Sequence, residues 1–145
     1  MLNPDFREFI QSLNDSGVKY LVVGGYAVAF HGYPRYTKDL DIWIEPSPEN
    51  AKRIISALQL FGFGDLDLSP ADLQEPDQVI QLGYPPVRID LITTMEGVVF
   101  EDCYTSRVVT EIDDIEVPFI DLVRLKQNKQ ATGSHQDLAD LEHLD

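Results

Sequence analysis

Two aspartates stand at a spacing that suits the binding of a divalent cation. Asp39 and Asp41 flank Leu40 in a segment, 39–45, in which polar and apolar residues alternate. Alternation predicts a β-strand, on which residues two apart project from the same face. Two carboxylates held side by side repel each other, and a divalent cation removes that repulsion. Because oxygen ligands of this kind are hard, they favour Mg²⁺ or Mn²⁺ over zinc.

A third carboxylate, Asp90, lies in a second alternating segment, 87–92. The alternation places Asp90 on the face opposite Val87, Ile89 and Leu91. If this strand lies beside the strand of Asp39, three acids converge. Such a cluster can hold two metal ions about 3.5–4 Å apart, which activate an attacking oxygen and stabilise a leaving phosphate. The alternative is that these are solvated or helix-capping acids.

A pair of glycines lies upstream of the aspartates, where the apolar segment 19–23 ends. Gly24 and Gly25 join a predicted buried strand to a predicted short helix. Without Cβ atoms the backbone can approach a phosphate closely, and the free N–H groups of a helix start can point at it. An ordinary strand-to-helix turn is the alternative.

The rest of the chain supplies the elements that must position these groups. Apolar periodicity, N-cap residues and turn residues predict an α/β domain with a central, mixed sheet. The predicted helices cover 4–16, 26–31, 49–61, 119–131 and 135–144, and the predicted strands cover 19–23, 39–45, 78–84, 87–94 and a hairpin within 108–118. The acidic segment 62–77 is expected to be a surface loop.

The combined pattern resembles the nucleotidyltransferase superfamily typified by DNA polymerase β. Members of that superfamily carry a hydrophobic strand, Gly-Gly or Gly-Ser, a connecting segment, Asp-hydrophobic-Asp and a third Asp on a later strand. The matching residues here are Val23-Gly24-Gly25, Asp39-Leu40-Asp41 and Asp90. The longer patterns in 24–41 and 125–141 are similar to the small bacterial branch, the minimal and AbiEii-toxin-like nucleotidyltransferases.

The resemblance implies a fold, a reaction and a set of residue roles. The implied fold is an α/β, nucleotidyltransferase-like mixed central sheet with flanking helices, formed by residues 1–145 as a single domain. The implied reaction moves a nucleoside monophosphate from an NTP to an acceptor and releases pyrophosphate, with Mg²⁺ or Mn²⁺ as cofactor. Asp39, Asp41 and Asp90 match the catalytic metal ligands, and Asp90 would also favour deprotonation of the acceptor. The positions that match nucleotide contacts are Gly24, Gly25, Arg35, Thr37, Lys126 and Lys129.

Two of the matched lysines, and a tryptophan near the aspartates, also have a purely structural interpretation. Lys126 and Lys129 lie three apart on a predicted helix and share a face, so surface solvation is an equal alternative to nucleotide binding. Trp43 shares a strand face with the two aspartates, where it can stack on a base or pack in the core.

Composition and charge set limits on the partners. The 145 residues suit one domain, and 43% hydrophobic with 25% charged residues is typical of a globular protein. The start of the sequence lacks signal-peptide features, and no apolar run reaches the ~18 residues of a membrane span. Cys103 is the single cysteine. A cytoplasmic location is therefore expected. The net charge of −14 disfavours non-specific nucleic-acid binding.

The acceptor stays open, because the branch modifies RNA ends such as the tip of tRNA, proteins and small antibiotics. Its members also occur in toxin–antitoxin and phage-defence systems, which makes a cognate toxin or antitoxin a candidate partner. This chain has Ser134-His135-Gln136 where the branch commonly carries a basic pair before the last helix. Two rival functions follow: a catalytically degenerate nucleotidyltransferase-like module that binds a protein partner, and a metal-dependent phosphodiesterase.

Overall fold

The computed structural model describes residues 3–33, 39–62, 67–84 and 87–144. Within these ranges the secondary structure follows the α/β pattern expected from the sequence. The helices are α1 (Pro4–Asp15), α2 (Gly24–Phe30), α3 (Pro48–Phe61), α4 (Phe100–Thr105), α5 (Leu122–Thr132) and α6 (His135–His143). The strands are β1 (Tyr20–Val23), β2 (Asp39–Ile44), β3 (Val79–Tyr84), β4 (Val87–Ile92), β5 (Val108–Ile112) and β6 (Ile115–Phe119). None of the described helices is long and apolar enough to serve as a transmembrane span.

The strands form one mixed sheet in the order β3-β4-β2-β1-β6-β5. β2 lies between β1, which is antiparallel to it, and β4, which is parallel to it. β6 pairs with β1 in parallel, and β3 and β5 complete the edges as antiparallel partners of β4 and β6. The predicted α/β fold with a mixed central sheet and flanking helices is therefore confirmed.

The boundaries of the longer helices follow from their capping residues. The side chain of Asn3 accepts a hydrogen bond from the Asp5 backbone N–H at the start of α1, as Ser47 does from Asn50 at the start of α3. Each of these helices has a proline in its first turn, where no intrahelical donor is lost. α3 ends at Gly62, whose φ of 105° is the left-handed conformation that glycine adopts readily.

Two helices begin two or more residues away from the start that the sequence pattern predicts. α5 begins at Leu122 rather than at 119, because β6 runs to Phe119 and Asp121 is the N-cap residue. α2 begins at Gly24, so the two glycines form its first turn instead of preceding it. The short helix α4 is not predicted, since its six residues are too few for a helical period to stand out.

The acidic segment before β3 is at the surface, as expected. Its described part, 67–77, consists largely of turns with exposed acids, and Leu73 is the fully buried residue that anchors it to the core. These carboxylates are therefore solvated and form part of the acidic surface.

Candidate active site

The pairing of β2 with β4 brings the three predicted aspartates together. The strands are parallel, with Asp41 opposite Asp90 and Asp39 opposite Arg88. Side chains at directly paired positions project from the same face of a sheet. The face therefore carries three carboxylates and one guanidinium at four adjacent positions. We call these four residues, Asp39, Asp41, Arg88 and Asp90, the acid cluster.

The acid cluster runs from solvent into the protein. The side chain of Asp39 is 40% exposed, whereas that of Asp90 is 8% exposed. Arg88 lies between these extremes, with 32% of its side chain exposed. A small polar ligand can thus reach the cluster from the side of Asp39.

Asp41 holds a proton at neutral pH more readily than an ordinary aspartate. Burial is the main cause, followed by the negative charges of Asp90 and Asp39 and a hydrogen bond shared with Asp90, while Arg88 opposes the effect. Together they raise the pKa of the Asp41 carboxyl to about 7. Such a shift is typical of a carboxyl that is largely buried beside other carboxylates.

Gly24 closes one side of the acid cluster. An ideal Cβ built on Gly24 would lie 2.1 Å from Oδ2 of Asp41, so any larger side chain at this position would force Asp41 to shift. The φ of Gly24 is also positive, at 66°, which disfavours other residues. The contact arises because Val23, at the end of β1, pairs with Asp41 on β2. The predicted glycine turn and the predicted carboxylates are therefore direct neighbours.

The cation within the acid cluster is the guanidinium of Arg88. Its Nε donates to Oδ1 of Asp90 at 3.1 Å and its Nη2 donates to Oδ2 at 3.0 Å. Nε also lies 3.9 Å from Oδ2 of Asp39. This is the forked geometry in which arginine binds a carboxylate most tightly.

The donor chemistry of the acid cluster fits Mg²⁺ or Mn²⁺, since its carboxylate oxygens are hard ligands and its negative charges exceed the single positive one. Among the residues that the structure describes, however, no group of three or more His, Cys, Asp or Glu side chains is already arranged to hold a metal ion. Both oxygens of Asp90 instead accept hydrogen bonds from Arg88. A metal would therefore require this pair to rearrange.

The chain was compared with known proteins by sequence and by structure. It matches no protein-family model and no curated protein. A protein from Thermotoga maritima that is named as a nucleotidyltransferase superimposes on this chain with a TM-score of 0.60 at 16% sequence identity. The superposition covers 98% of this chain and 93% of the other. The chain has the nucleotidyltransferase fold. The resemblance seen in its glycine and aspartate motifs is thus confirmed at the level of the fold.

Two further structures share this nucleotidyltransferase fold. The lincosamide antibiotic adenylyltransferase LnuA, bound to lincomycin, has a TM-score of 0.59 at 14% identity and covers 99% of this chain and 96% of its own. An antigenic nucleotidyltransferase-like protein from Paracoccidioides brasiliensis has a TM-score of 0.57 at 17% identity, covering 97% of this chain and 74% of that one. At these identities the likeness is one of fold.

The other predicted nucleotide contacts lie in different settings. Gly25 is buried in the first turn of α2, whereas Arg35 and Thr37 lie outside the described residues. Lys126 is half-buried on α5. Lys129 is 6% exposed, and its Nζ lies 2.9 Å from Oδ1 of Asp137 and 3.1 Å from Oδ2 of Asp140. The ammonium of Lys129 is thus already held by two carboxylates, and its contact with a nucleotide stays a prediction.

Trp43 packs in the core. Its ring meets that of Phe100 edge to face, with centroids 5.1 Å apart, and it is 2% exposed. The indole N–H points at the carbonyl of Thr93 at 3.4 Å. This placement fits the structural alternative rather than stacking on a base.

Arg88 is the residue of this site that the sequence analysis missed. The signal was present, because Arg88 and Asp90 are two apart in an alternating segment and so share a face. An arginine placed among acids by strand periodicity is therefore a candidate member of the site.

Proposed function

We propose that this protein is a metal-dependent nucleotidyltransferase that moves a nucleoside monophosphate from an NTP to an acceptor. The observation that carries the proposal is the acid cluster: Asp41 faces Asp90 across a parallel strand pair and touches the glycine turn at Gly24. The fold shared with proteins named as nucleotidyltransferases supports it. Phosphoryl transfer depends mainly on positioning and charge neutralisation, and this arrangement offers both.

In the proposed mechanism each part of the site has a separate role. Asp39, Asp41 and Asp90 would hold Mg²⁺ or Mn²⁺, which when bound would neutralise triphosphate charge and make the acceptor hydroxyl more acidic. Gly24 and Gly25 let the triphosphate approach the backbone. The acceptor oxygen forms a bond to the α-phosphorus, the bond from that phosphorus to the β-bridging oxygen breaks, and pyrophosphate leaves. The proton of the acceptor hydroxyl passes to solvent, and Asp90 favours its removal.

The acceptor proposed for the first assay is a small hydroxyl compound. LnuA, an adenylyltransferase of lincosamide antibiotics, shares the fold over nearly its whole length. The net charge of −14 disfavours a long nucleic acid but permits the tip of a tRNA to reach a local site. ATP with lincomycin is therefore the first substrate pair to assay, followed by tRNA and protein acceptors. A toxin–antitoxin or phage-defence setting is the proposed context.

The proposal is tested by replacing the carboxylates without changing their shape. The protein is incubated with each NTP labelled at the α-phosphate, Mg²⁺ and a cell lysate, and labelled products and pyrophosphate are separated by chromatography. Asp41→Asn and Asp90→Asn are each expected to reduce pyrophosphate release at least about 100-fold, since a metal ligand is lost. Asp67→Asn removes one charge from an exposed aspartate and is the matched control.

Two results would contradict the proposal. Activity retained in the Asp41→Asn, Asp90→Asn double variant would exclude these residues as metal ligands. Release of phosphate or of a nucleoside monophosphate without transfer would instead indicate the phosphodiesterase alternative.

One observation favours a second candidate, a catalytically degenerate module that binds a protein partner. Arg88 already neutralises part of the acid cluster, and the described residues hold no preformed metal cage. Calorimetric titration with NTP and Mg²⁺ separates the two candidates, because a pure interaction module gives no metal-dependent nucleotide binding.

A further inference from the structure

The arginine of the acid cluster occupies both oxygens of one proposed metal ligand. Nε and Nη2 of Arg88 donate to Oδ1 and Oδ2 of Asp90 at 3.1 and 3.0 Å. The side chain of Asp90 is only 8% exposed, so little water competes for these oxygens. The guanidinium is therefore the principal counter-ion of Asp90 among the described residues.

A divalent cation on Asp90 conflicts with this arrangement. A metal bound to either oxygen of Asp90 would lie within a few ångströms of the guanidinium, and two cations at that distance repel strongly where water is scarce. The conflict does not extend equally to Asp39, since Nε of Arg88 is 3.9 Å from its Oδ2 and makes no hydrogen bond to it. The competition between arginine and metal is thus centred on Asp90.

Arg88 is free to leave without opening the core. Its side chain is 32% exposed, and its position opposite Asp39 places it on the solvent side of the cluster. The 40% exposed carboxylate of Asp39 offers the departing guanidinium a neighbouring acceptor. Release of Asp90 therefore requires rotation of one long side chain rather than a rearrangement of the sheet.

We infer that Arg88 is a positioning residue that acts as an exchangeable counter-ion of Asp90. It holds Asp90 in place while the site lacks metal, and it moves off Asp90 when a divalent cation binds. The cost of breaking the Arg88–Asp90 pair lowers the affinity of the site for the metal. The inference rests on the proposed function, because it takes the acid cluster to be the metal site.

The first test measures metal affinity in variants of Arg88. Mn²⁺ binding is followed by calorimetry and by the electron paramagnetic resonance signal of free Mn²⁺, without nucleotide. Arg88→Met is expected to bind Mn²⁺ about tenfold more tightly than the unmodified protein or better, because a competing charge is gone. Arg88→Lys keeps the charge but loses the fork, so its affinity is expected to lie between the two.

The matched control is Arg53→Met, which removes the same charge from an exposed position on α3. Arg53 contacts the carbonyl of Gly17 at 3.5 Å and no carboxylate of the acid cluster. Its Mn²⁺ affinity is expected to stay within twofold of the unmodified protein. If Arg88→Met binds Mn²⁺ with unchanged or weaker affinity, the inference is overturned, since a purely structural arginine does not oppose the metal.

A second test follows the unmodified protein and remains valid if Arg88→Met does not fold. The arginine Nε–H signals of the ¹⁵N-labelled protein are recorded during titration with Mg²⁺, and the Arg88 signal is assigned from Arg88→Lys. Loss of the hydrogen bond to Asp90 is expected to shift this signal in proportion to bound metal. A signal that stays unchanged at saturating Mg²⁺ would overturn the inference.

The outcomes also separate this inference from the proposed function. If the unmodified protein binds Mn²⁺, Asp41→Asn weakens the binding and Arg88→Met does not strengthen it, the counter-ion role fails while the metal site stands. If neither the unmodified protein nor Arg88→Met binds Mn²⁺, either alone or together with an NTP, the metal-dependent function fails and the inference with it.

Discussion

At the scale of single residues, the contact between Gly24 and Asp41 joins the two halves of the proposed site. A Cβ at Gly24 would overlap Oδ2 of Asp41, and φ is in the left-handed region. Gly17 has nearly the same φ, 69°, but a Cβ placed there would meet no atom of the other described residues within 4 Å. A comparison of alanine substitutions at these two glycines therefore separates two costs. The cost of backbone strain applies to both positions, and the cost of steric overlap applies to Gly24.

Gly24→Ala is expected to destabilise the protein more than Gly17→Ala. Both substitutions incur the left-handed backbone cost of about 1–2 kcal/mol. Gly24→Ala adds roughly 1–3 kcal/mol because the Asp41 carboxylate must shift. Urea unfolding measures both free energies, and equal losses would show that the Gly24–Asp41 contact is not tight.

The raised pKa of Asp41, about 7, makes the stability of the metal-free protein depend on pH. In the unfolded chain this carboxyl titrates near 4, so the folded state binds an extra proton between about pH 4 and pH 7. The stability contributed by Asp41 is therefore present at low pH and lost as the pH rises through 7. Removing the carboxyl should remove this dependence.

Asp41→Asn is the variant that isolates this effect. Relative to Asp41→Asn, the unmodified protein with EDTA is expected to lose on the order of 2 kcal/mol of unfolding free energy between pH 5 and pH 8. Urea unfolding at several pH values gives the difference, and saturating Mg²⁺ should reduce it because a cation favours the ionised carboxylate. A stability that instead rises with pH relative to Asp41→Asn would contradict the assigned direction.

At the scale of elements, a buried ion-pair network fastens α6 to α5. Nζ of Lys129 contacts Asp137 and the fully buried Asp140. Although partial burial acts to raise it, hydrogen bonds from Lys129, Thr132 and Ser134 bring the pKa of Asp137 down to about 2. The helix junction thus depends on Lys129 being present.

Lys129→Met is expected to cost about 3–5 kcal/mol of unfolding free energy, because the buried carboxylate of Asp140 loses the ammonium 3.1 Å from its Oδ2. Lys126→Met, one turn earlier on the same helix and half-buried, should cost less than about 0.5 kcal/mol. Urea unfolding of both variants tests the comparison. Similar losses for the two would mean that Lys129 is not the residue that holds α6.

At the scale of the whole molecule, the sheet order assembles the site from distant parts of the chain. β2 and β4 are neighbours although α3 and β3 lie between them in sequence, and β6 returns to pair with β1. Strands from both ends of the chain are thus interleaved in one sheet, while the single domain of residues 1–145 stays a prediction. The exposed acids of 67–77 contribute to the net charge of −14.

The sequence by itself determined the strands and the faces they present. Alternation in β2 and β4 assigns Asp39, Asp41 and Asp90 to polar faces, because strand faces follow a local period of two residues. The glycine pair marks the end of β1, because turn residues are also a local signal. The caps of α1 and α3 are equally local. The short α4 carried too few residues for its period to be recognised.

The tertiary structure alone decided which strands are neighbours and what fills the space between them. Three features of this kind join residues that are far apart in sequence or select one of several possible partners for an ion. They are the parallel pairing of β2 and β4, the close approach of Gly24 to Asp41 and the ion pairs of Lys129. Local patterns carry no information on such pairings, because they depend on how the whole chain packs. For the same reason the fork of Arg88 on Asp90 emerged only from the folded arrangement, although strand periodicity had placed both residues on one face.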